Sequence, residues 1–228
     1  MTEKDQKKIA KILDTKSVFV FDFDGVLADS VNIKTSAFFE LYREYGHSVS
    51  SKVIEHHEAN GGMSRFDKFK FYHRNFLNID LKKKEIEDLS ARFSSLVLES
   101  VIKSPEIKGA GEFLKKNYQK NKLFFINSAT PELEIKEVIK SRNLDSYFTE
   151  VFGSPNSKLD NLRTILSRYN IDVTQIVFFG DALSDFDAAN SLGCMFVGVG
   201  RHIEEIISSR LTVPVSQYYL LKDFQELL

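Results

Sequence analysis

Tryptophan is absent from the 228-residue chain, and cysteine occurs once, as Cys194. A lone thiol excludes an intrachain disulfide and fits a reducing compartment. Charge of one sign is lacking too: the formal net charge is −1, so no electrostatic footprint points to nucleic acid or an anionic membrane. Apolar runs such as Leu123-Phe124-Phe125-Ile126 fall far short of a membrane span. The opening MTEKDQKKIAKILDTK has no apolar centre of the kind a signal peptide needs. A cytoplasmic monomer with neither a nucleic-acid nor a membrane partner is the simplest expectation. Phenylalanine, by contrast, is abundant at 20 copies and must fill much of the core. The length suits one large domain or two modest ones.

Four short apolar runs punctuate the chain: VFVF at 18–21, LFFI at 123–126, IVFF at 176–179 and MFVGVG at 195–200. None alternates with polar residues, as expected of strands covered on both faces of a parallel sheet. A helix is expected over Glu132–Arg142, with Pro131 at its first position. Another is expected over Asp160–Tyr169, where Leu162, Ile165, Leu166 and Tyr169 recur at helical spacing. Strands alternating with helices predict a doubly wound α/β domain with a parallel sheet. Residues 31–104 carry no convincing strand and read as helices over Ile33–Tyr45, Val49–Ala59, Arg65–Phe76 and Lys83–Val101. Asn60-Gly61-Gly62 breaks the second from the third, and Ser104-Pro105 closes the block. The expected organisation is an α/β core of residues 1–30 and 105–228, with an all-helical domain of residues 31–104 inserted after the first strand.

The first run leads straight into Asp22 and Asp24. Burying an unpartnered carboxylate costs several kcal/mol, so these two need a reason. In parallel α/β sheets ligands bind outside the carboxyl ends of the strands. Asn127-Ser128-Ala129-Thr130 follows the second run, and Gly180-Asp181-Ala182-Leu183-Ser184-Asp185 follows the third. If these strands run in one direction in one sheet, the carboxylates and a hydroxyl meet at one edge. Crowded carboxylates need a counter-ion, and Mg²⁺ suits an all-oxygen site shared with phosphate.

Asp22-Phe23-Asp24-Gly25-Val26-Leu27 resembles the first motif of the haloacid dehalogenase superfamily, D-x-D-G-[TV]-[LI]. Ile126-Asn127-Ser128 is similar to its second motif, Lys158 to its third, and Gly180-Asp181-Ala182-Leu183-Ser184-Asp185 to its fourth, G-D-x-x-x-D. The resemblance implies that Asp22 is the nucleophile and forms an aspartyl-phosphate. It implies that Asp24 is general acid and then base, and that Ser128 and the following backbone N–H at Ala129 hold a phosphoryl oxygen. Lys158 would offset the negative charge. Asp181, Asp22 and the Asp24 backbone carbonyl would coordinate Mg²⁺, and Asp185 would either ligate directly or orient its neighbours.

The helical insert is similar to the cap of phosphoglycolate phosphatases and β-phosphoglucomutases. Gly62-Met63-Ser64-Arg65 resembles the G-x-S-R stretch of the mutase cap, whose arginine binds a distal phosphate. Alternatively, Ser64 caps the next helix and Arg65 lies on its exposed face. Phe66, Phe69 and Phe76 form one helical stripe expected in the cap core, and His56, His57 and His73 are expected at the surface or in that core. The resemblance implies a Mg²⁺-dependent phosphomonoesterase acting on a small phosphorylated metabolite, such as a sugar phosphate. A phosphosugar mutase would share the core motifs, but its pattern has histidine where this chain has Lys34. A 2-haloacid dehalogenase would lack the second aspartate that Asp24 supplies. A non-catalytic relative would have lost a core residue, and none is missing.

Overall fold

In the computed structural model, which describes residues 3–200, 203, 207 and 218–228, the chain opens with helix α1 (Glu3–Asp14) and strand β1 (Val18–Phe21). Four helices follow: α2 (Val31–Tyr42), α3 (His47–Ala59), α4 (Arg65–Tyr72) and α5 (Lys83–Lys103). The chain then returns through α6 (Ala110–Tyr118), β2 (Leu123–Pro131), α7 (Glu132–Ser141), β3 (Glu150–Ser154) and α8 (Lys158–Tyr169). It continues with β4 (Ile176–Gly180), α9 (Leu183–Leu192), β5 (Met195–Val199) and β6 (Tyr218–Leu221). The strands form one six-stranded sheet in the order β3-β2-β1-β4-β5-β6, and every pairing is parallel. The parts of the expected core at 1–2, 201–202, 204–206 and 208–217 lie outside the described residues. No helix among the described residues is long and apolar enough to cross a membrane.

The lack of alternation in the strand sequences has a direct cause: both faces of the sheet are covered. Phe19, Phe21, Phe124, Ile126, Val177 and Phe179 point to one side, where they join Phe113 and Phe224. Val18, Val20, Phe125, Ile176 and Phe178 point to the other, against Leu162 and Ile165 of α8 and Phe186 and Ala189 of α9. Phenylalanine does fill this core: Phe21 stacks on Phe179 at 4.8 Å between ring centroids, and Phe19 on Phe124 at 5.8 Å.

β3 and β6 were not expected from the sequence. Each closes one edge of the sheet and needs no run buried on both sides, so EVFGS and YYLL carry a weaker apolar signal. α1 and α6 were also unannounced. α7 begins at Glu132 as expected and ends one residue earlier, at Ser141, with Pro131 at the cap position rather than the first helical position.

The insertion between β1 and β2 is helical throughout its regular elements, with a core of Phe38, Tyr42, Val53, Phe69, Tyr72 and Phe93. Phe69 is fully buried, whereas Phe66 and Phe76 are only partly so. The buried face of α4 is Arg65, Lys68, Phe69 and Tyr72. The stripe is therefore rotated from the all-aromatic one expected, and two cations lie inside it.

Candidate active site

Where β1 ends, the backbone N–H of Asp22 still donates to the Phe179 carbonyl at 2.9 Å, which carries the carboxylate out at the sheet edge. Asp22 Oδ1 accepts from the Phe23 N–H at 2.6 Å. The chain then turns at Gly25, where φ is +76° and a Cβ would fall 2.0 Å from Asp181 Oδ2. Only glycine permits that approach. Lys158, the first residue of α8, donates to Asp22 Oδ2 at 2.5 Å and to Asp185 Oδ1 at 2.5 Å. Asp185 Oδ2 in turn accepts from the Ala182 N–H at 3.1 Å, anchoring the start of α9. Lys158 is itself positioned by Asn127, whose side-chain nitrogen donates to the Lys158 carbonyl at 2.8 Å, and Asn161 braces Asn127 at 3.0 Å.

Asp22, Asp181 and Asp185 each offer an oxygen within 4.8 Å of the others. Burial, together with the Asp22 and Asp185 carboxylates, pushes Asp181 well above the usual carboxylate range. Burial also pushes Asp185 up to about 7, against the pull of Lys158. Burial works against the Lys158 charge, but Asp185 and Asp22 outweigh it and hold the ammonium above its ordinary range. One ammonium thus faces three carboxylates. The surplus negative charge and the all-oxygen donor set fit a hard divalent cation.

The Asp24 carboxylate does not join this cluster. Its Oδ1 accepts from Ser30 Oγ at 2.6 Å, and its Oδ2 accepts from Lys34 and, at 3.2 Å, from Thr130 Oγ1. Burial alone would raise its pKa, but Lys34 and these hydrogen bonds prevail and hold it below the usual range. Sequence reasoning noted Lys34 only as a departure from the mutase pattern and missed Ser30 and Thr130. Ser128 is buried, and its Oγ accepts from the Thr130 N–H at 3.2 Å.

A cavity of about 480 Å³ lies between sheet edge and insertion. Asp22, Asp24, Ser128, Ala129 and Asp181 of the core contribute to its lining. Lys34, Phe38, His57, Gly62, Arg65 and Lys68 of the insertion also line it. Gly62 (φ +76°) packs so tightly on the start of α9 that a Cβ would fall 2.0 Å from Ser184 Oγ. Ser64 caps α4, accepting from the Asp67 N–H at 3.2 Å. Arg65 is not on an exposed face: it is buried, with bidentate hydrogen bonds to Glu134 of α7 at 2.8 and 2.5 Å and a third to Ser94 at 2.8 Å. Its guanidinium also lies 4.5 Å from the Phe93 ring centroid. His57 and His73 are buried in the insertion, whereas His56 is half-buried. Cys194 is buried and its thiol is pushed up to about 12 by burial, so it is inert.

Several solved structures share this architecture. A hydrolase from Pseudomonas syringae is 20% identical, with 93% of this chain and 96% of that one covered at a TM-score of 0.73. A β-phosphoglucomutase from Clostridium difficile is 19% identical, covering 88% and 92% at 0.69. A predicted phosphoglycolate phosphatase from Haemophilus somnus is 16% identical, covering 93% and 96% at 0.68. At such identities the likeness is one of fold. No curated protein matches the sequence. The family model for haloacid dehalogenase-like hydrolases, however, matches residues 19–199, from the first strand through β5 and across every motif at the strand ends. The chain belongs to the haloacid dehalogenase-like hydrolase family.

Proposed function

We propose that the chain is a Mg²⁺-dependent phosphomonoester hydrolase, acting on a small phosphorylated metabolite through a phosphoryl group carried on Asp22. One observation carries the reading: Asp22 sits among Lys158, Asp181 and Asp185 at a strand end that opens into the same cavity as Asp24 and Ser128. Asp22, Asp181 and Asp185 would hold the cation, with the Asp24 carbonyl as a further oxygen donor. When bound, it supplies charge neutralisation that lets a phosphate dianion approach a carboxylate.

The remaining steps belong to this chain's own side chains. Ser128 Oγ and the Ala129 N–H hold a phosphoryl oxygen, and Lys158 offsets charge on Asp22 and the phosphate. An Asp22 oxygen attacks phosphorus, the ester P–O bond breaks, and the leaving alkoxide takes a proton from Asp24. Asp24 then takes a proton from water as that water attacks the aspartyl-phosphate, releasing phosphate and restoring Asp22. In this structure Lys34 and Thr130 hold Asp24 ionised, the form that accepts the proton from water. A leaving oxygen must replace one of them at Oδ2 before Asp24 can donate. The helical insertion, as a cap over the cavity, would exclude bulk water and read the leaving group.

The second reading, a phosphosugar mutase, rests on likeness to the Clostridium difficile enzyme. Here the acid–base carboxylate is paired with a lysine, which cannot shuttle protons near neutral pH as an imidazole does. Phosphate release from a panel of phosphorylated metabolites, with and without chelator, tests both. Release that is lost with EDTA and restored by Mg²⁺ is expected. Faster conversion of a sugar 1-phosphate to its 6-phosphate would favour the mutase, and chelator-insensitive halide release without phosphate release would favour a dehalogenase.

A further inference from the structure

Three basic side chains, Lys34, Arg65 and Lys68, line the active-site cavity, and Lys158 stands behind Asp22; three of these four cations have carboxylate partners. Lys158 is held by Asp22 and Asp185, Lys34 by Asp24, and Arg65 by Glu134. Lys68 is the exception. It is 2% exposed and lines the same cavity as Asp22 and Ser128, from α4 of the insertion. Its ammonium donates to His57 Nδ1 at 2.8 Å and to the His57 carbonyl at 3.4 Å, and lies 5.5 Å from the Phe38 ring centroid. Among the described residues no carboxylate comes within ion-pair distance of it.

A buried ammonium without a counter-ion is costly, and an apolar side chain of equal length would fill the space more cheaply. Burial and the nearby Lys34 charge push Lys68 down to about 7, the direction expected of a cation awaiting an anion. His57 keeps the geometry: burial, reinforced by Lys68 and Lys34, pushes it down to about 3, so it stays a neutral acceptor. A phosphoryl group at Asp22 and Ser128 leaves much of the 480 Å³ cavity to the leaving group, and Lys68 is part of the lining that meets it.

We propose that Lys68, held by His57, is the specificity-determining cation of the cavity and selects phosphomonoesters whose leaving group carries a second anion, a carboxylate or a second phosphate. The inference rests on the hydrolase reading for the orientation of the ester. It assigns the anion-reading role to Lys68, because the Arg65 guanidinium is already neutralised by Glu134.

The test uses the full chain, Lys68→Met, and two substrate pairs. 3-Phosphoglycerate and glycerol 3-phosphate differ by a carboxylate for a hydroxymethyl, and glucose 1,6-bisphosphate and glucose 1-phosphate differ by a second phosphate. Affinities are read by calorimetry in an Asp22→Asn background, where the nucleophile is gone, and rates in the otherwise native chain. Lys68→Met should weaken binding of the anionic member of at least one pair by ten- to a hundred-fold, and raise its KM in step. The neutral member, kcat and p-nitrophenyl phosphate turnover should stay within about two-fold. The affected pair identifies carboxylate or phosphate as the anion read. The melting temperature should hold or rise, whereas a lysine kept for packing would lower it on removal. Equal losses for both members, no loss for either, or no preference for the anionic member in the native chain would overturn the proposal. Absence of phosphate release from the native chain, with the selective affinity intact, would overturn the hydrolase reading and leave the anion site standing.

Discussion

Removing Arg65 should damage stability rather than substrate choice, and the expected size can be worked from its contacts. The side chains of Arg65 and Glu134 are 4% and 10% exposed, and they join the helical insertion to the core helix α7. Arg65→Ala removes the two hydrogen bonds to Glu134, the one to Ser94 and the stacking on Phe93. It leaves the Glu134 carboxylate with only the Ser94 hydroxyl. Breaking a buried pair from one side costs about 3–5 kcal/mol. Glu134 lies in the first turn of α7, where the helix dipole returns about 0.3–1 kcal/mol. A net loss of about 2–5 kcal/mol lowers the melting temperature of a chain this size by roughly 4–20 °C. The double variant Arg65→Met/Glu134→Met should recover most of this, because the stranded charge is gone. Thermal and urea melts of the single and double variants measure the coupling, and kcat/KM should fall by one common factor for p-nitrophenyl phosphate and 3-phosphoglycerate. A single variant melting within about 2 °C of the native protein, or a double variant showing the full sum of both losses, would refute the argument.

Three further perturbations probe separate parts of the site. Lys34→Met removes the charge that holds Asp24 low, so the acidic limb of the pH–rate profile should move to higher pH; an unmoved limb would show that Lys34 does not set Asp24. His57 is pushed down to about 3 by burial, against about 6.5 when unfolded. The unfolded chain therefore takes up a proton the native chain refuses, and stability should fall by about 1.4 kcal/mol per pH unit as pH drops below about 6.5 toward 3. Urea melts at pH 5 and 6 should show that slope reduced in His57→Gln, and an equal slope would contradict it. Gly25→Ala sets a methyl 2.0 Å from Asp181 Oδ2 at a positive φ, and the displaced carboxylate should cost on the order of a hundred-fold in phosphate release.

The central strands and the residues at their ends were legible because burial on both faces demands unbroken apolar runs. A carboxylate directly after such a run is an anomaly that asks for a ligand. That logic located β1, β2, β4 and β5, and brought Asp22, Ser128, Asp181 and Asp185 to one edge before any geometry was known. It failed at β3, where Glu150 is half-buried and bonds Tyr169 at 3.0 Å instead of joining the apolar core. The insertion was harder. Periodicity placed its helices, but the choice of inward face for α4 assumed that charged residues face water. Arg65 and Lys68 turn inward because partners on other helices receive them, Glu134 of α7 at a separation of 69 residues and His57 of the preceding helix at 11. No local pattern encodes such pairings. The cage around Asp24 was hidden for the same reason, since Thr130 lies 106 residues from it.

The account stands or falls on Asp22 as the group that receives phosphoryl. During turnover of a phosphomonoester with Mg²⁺ present, acid-quenched native protein should yield an Asp22-containing peptide heavier by one phosphoryl group. Asp22→Asn should fold, since the carboxylate cluster loses one negative charge, yet carry no label and release no phosphate above background. A folded Asp22→Asn protein that hydrolyses the ester at the native rate, or a label that maps to Ser128 instead, would contradict the central claim.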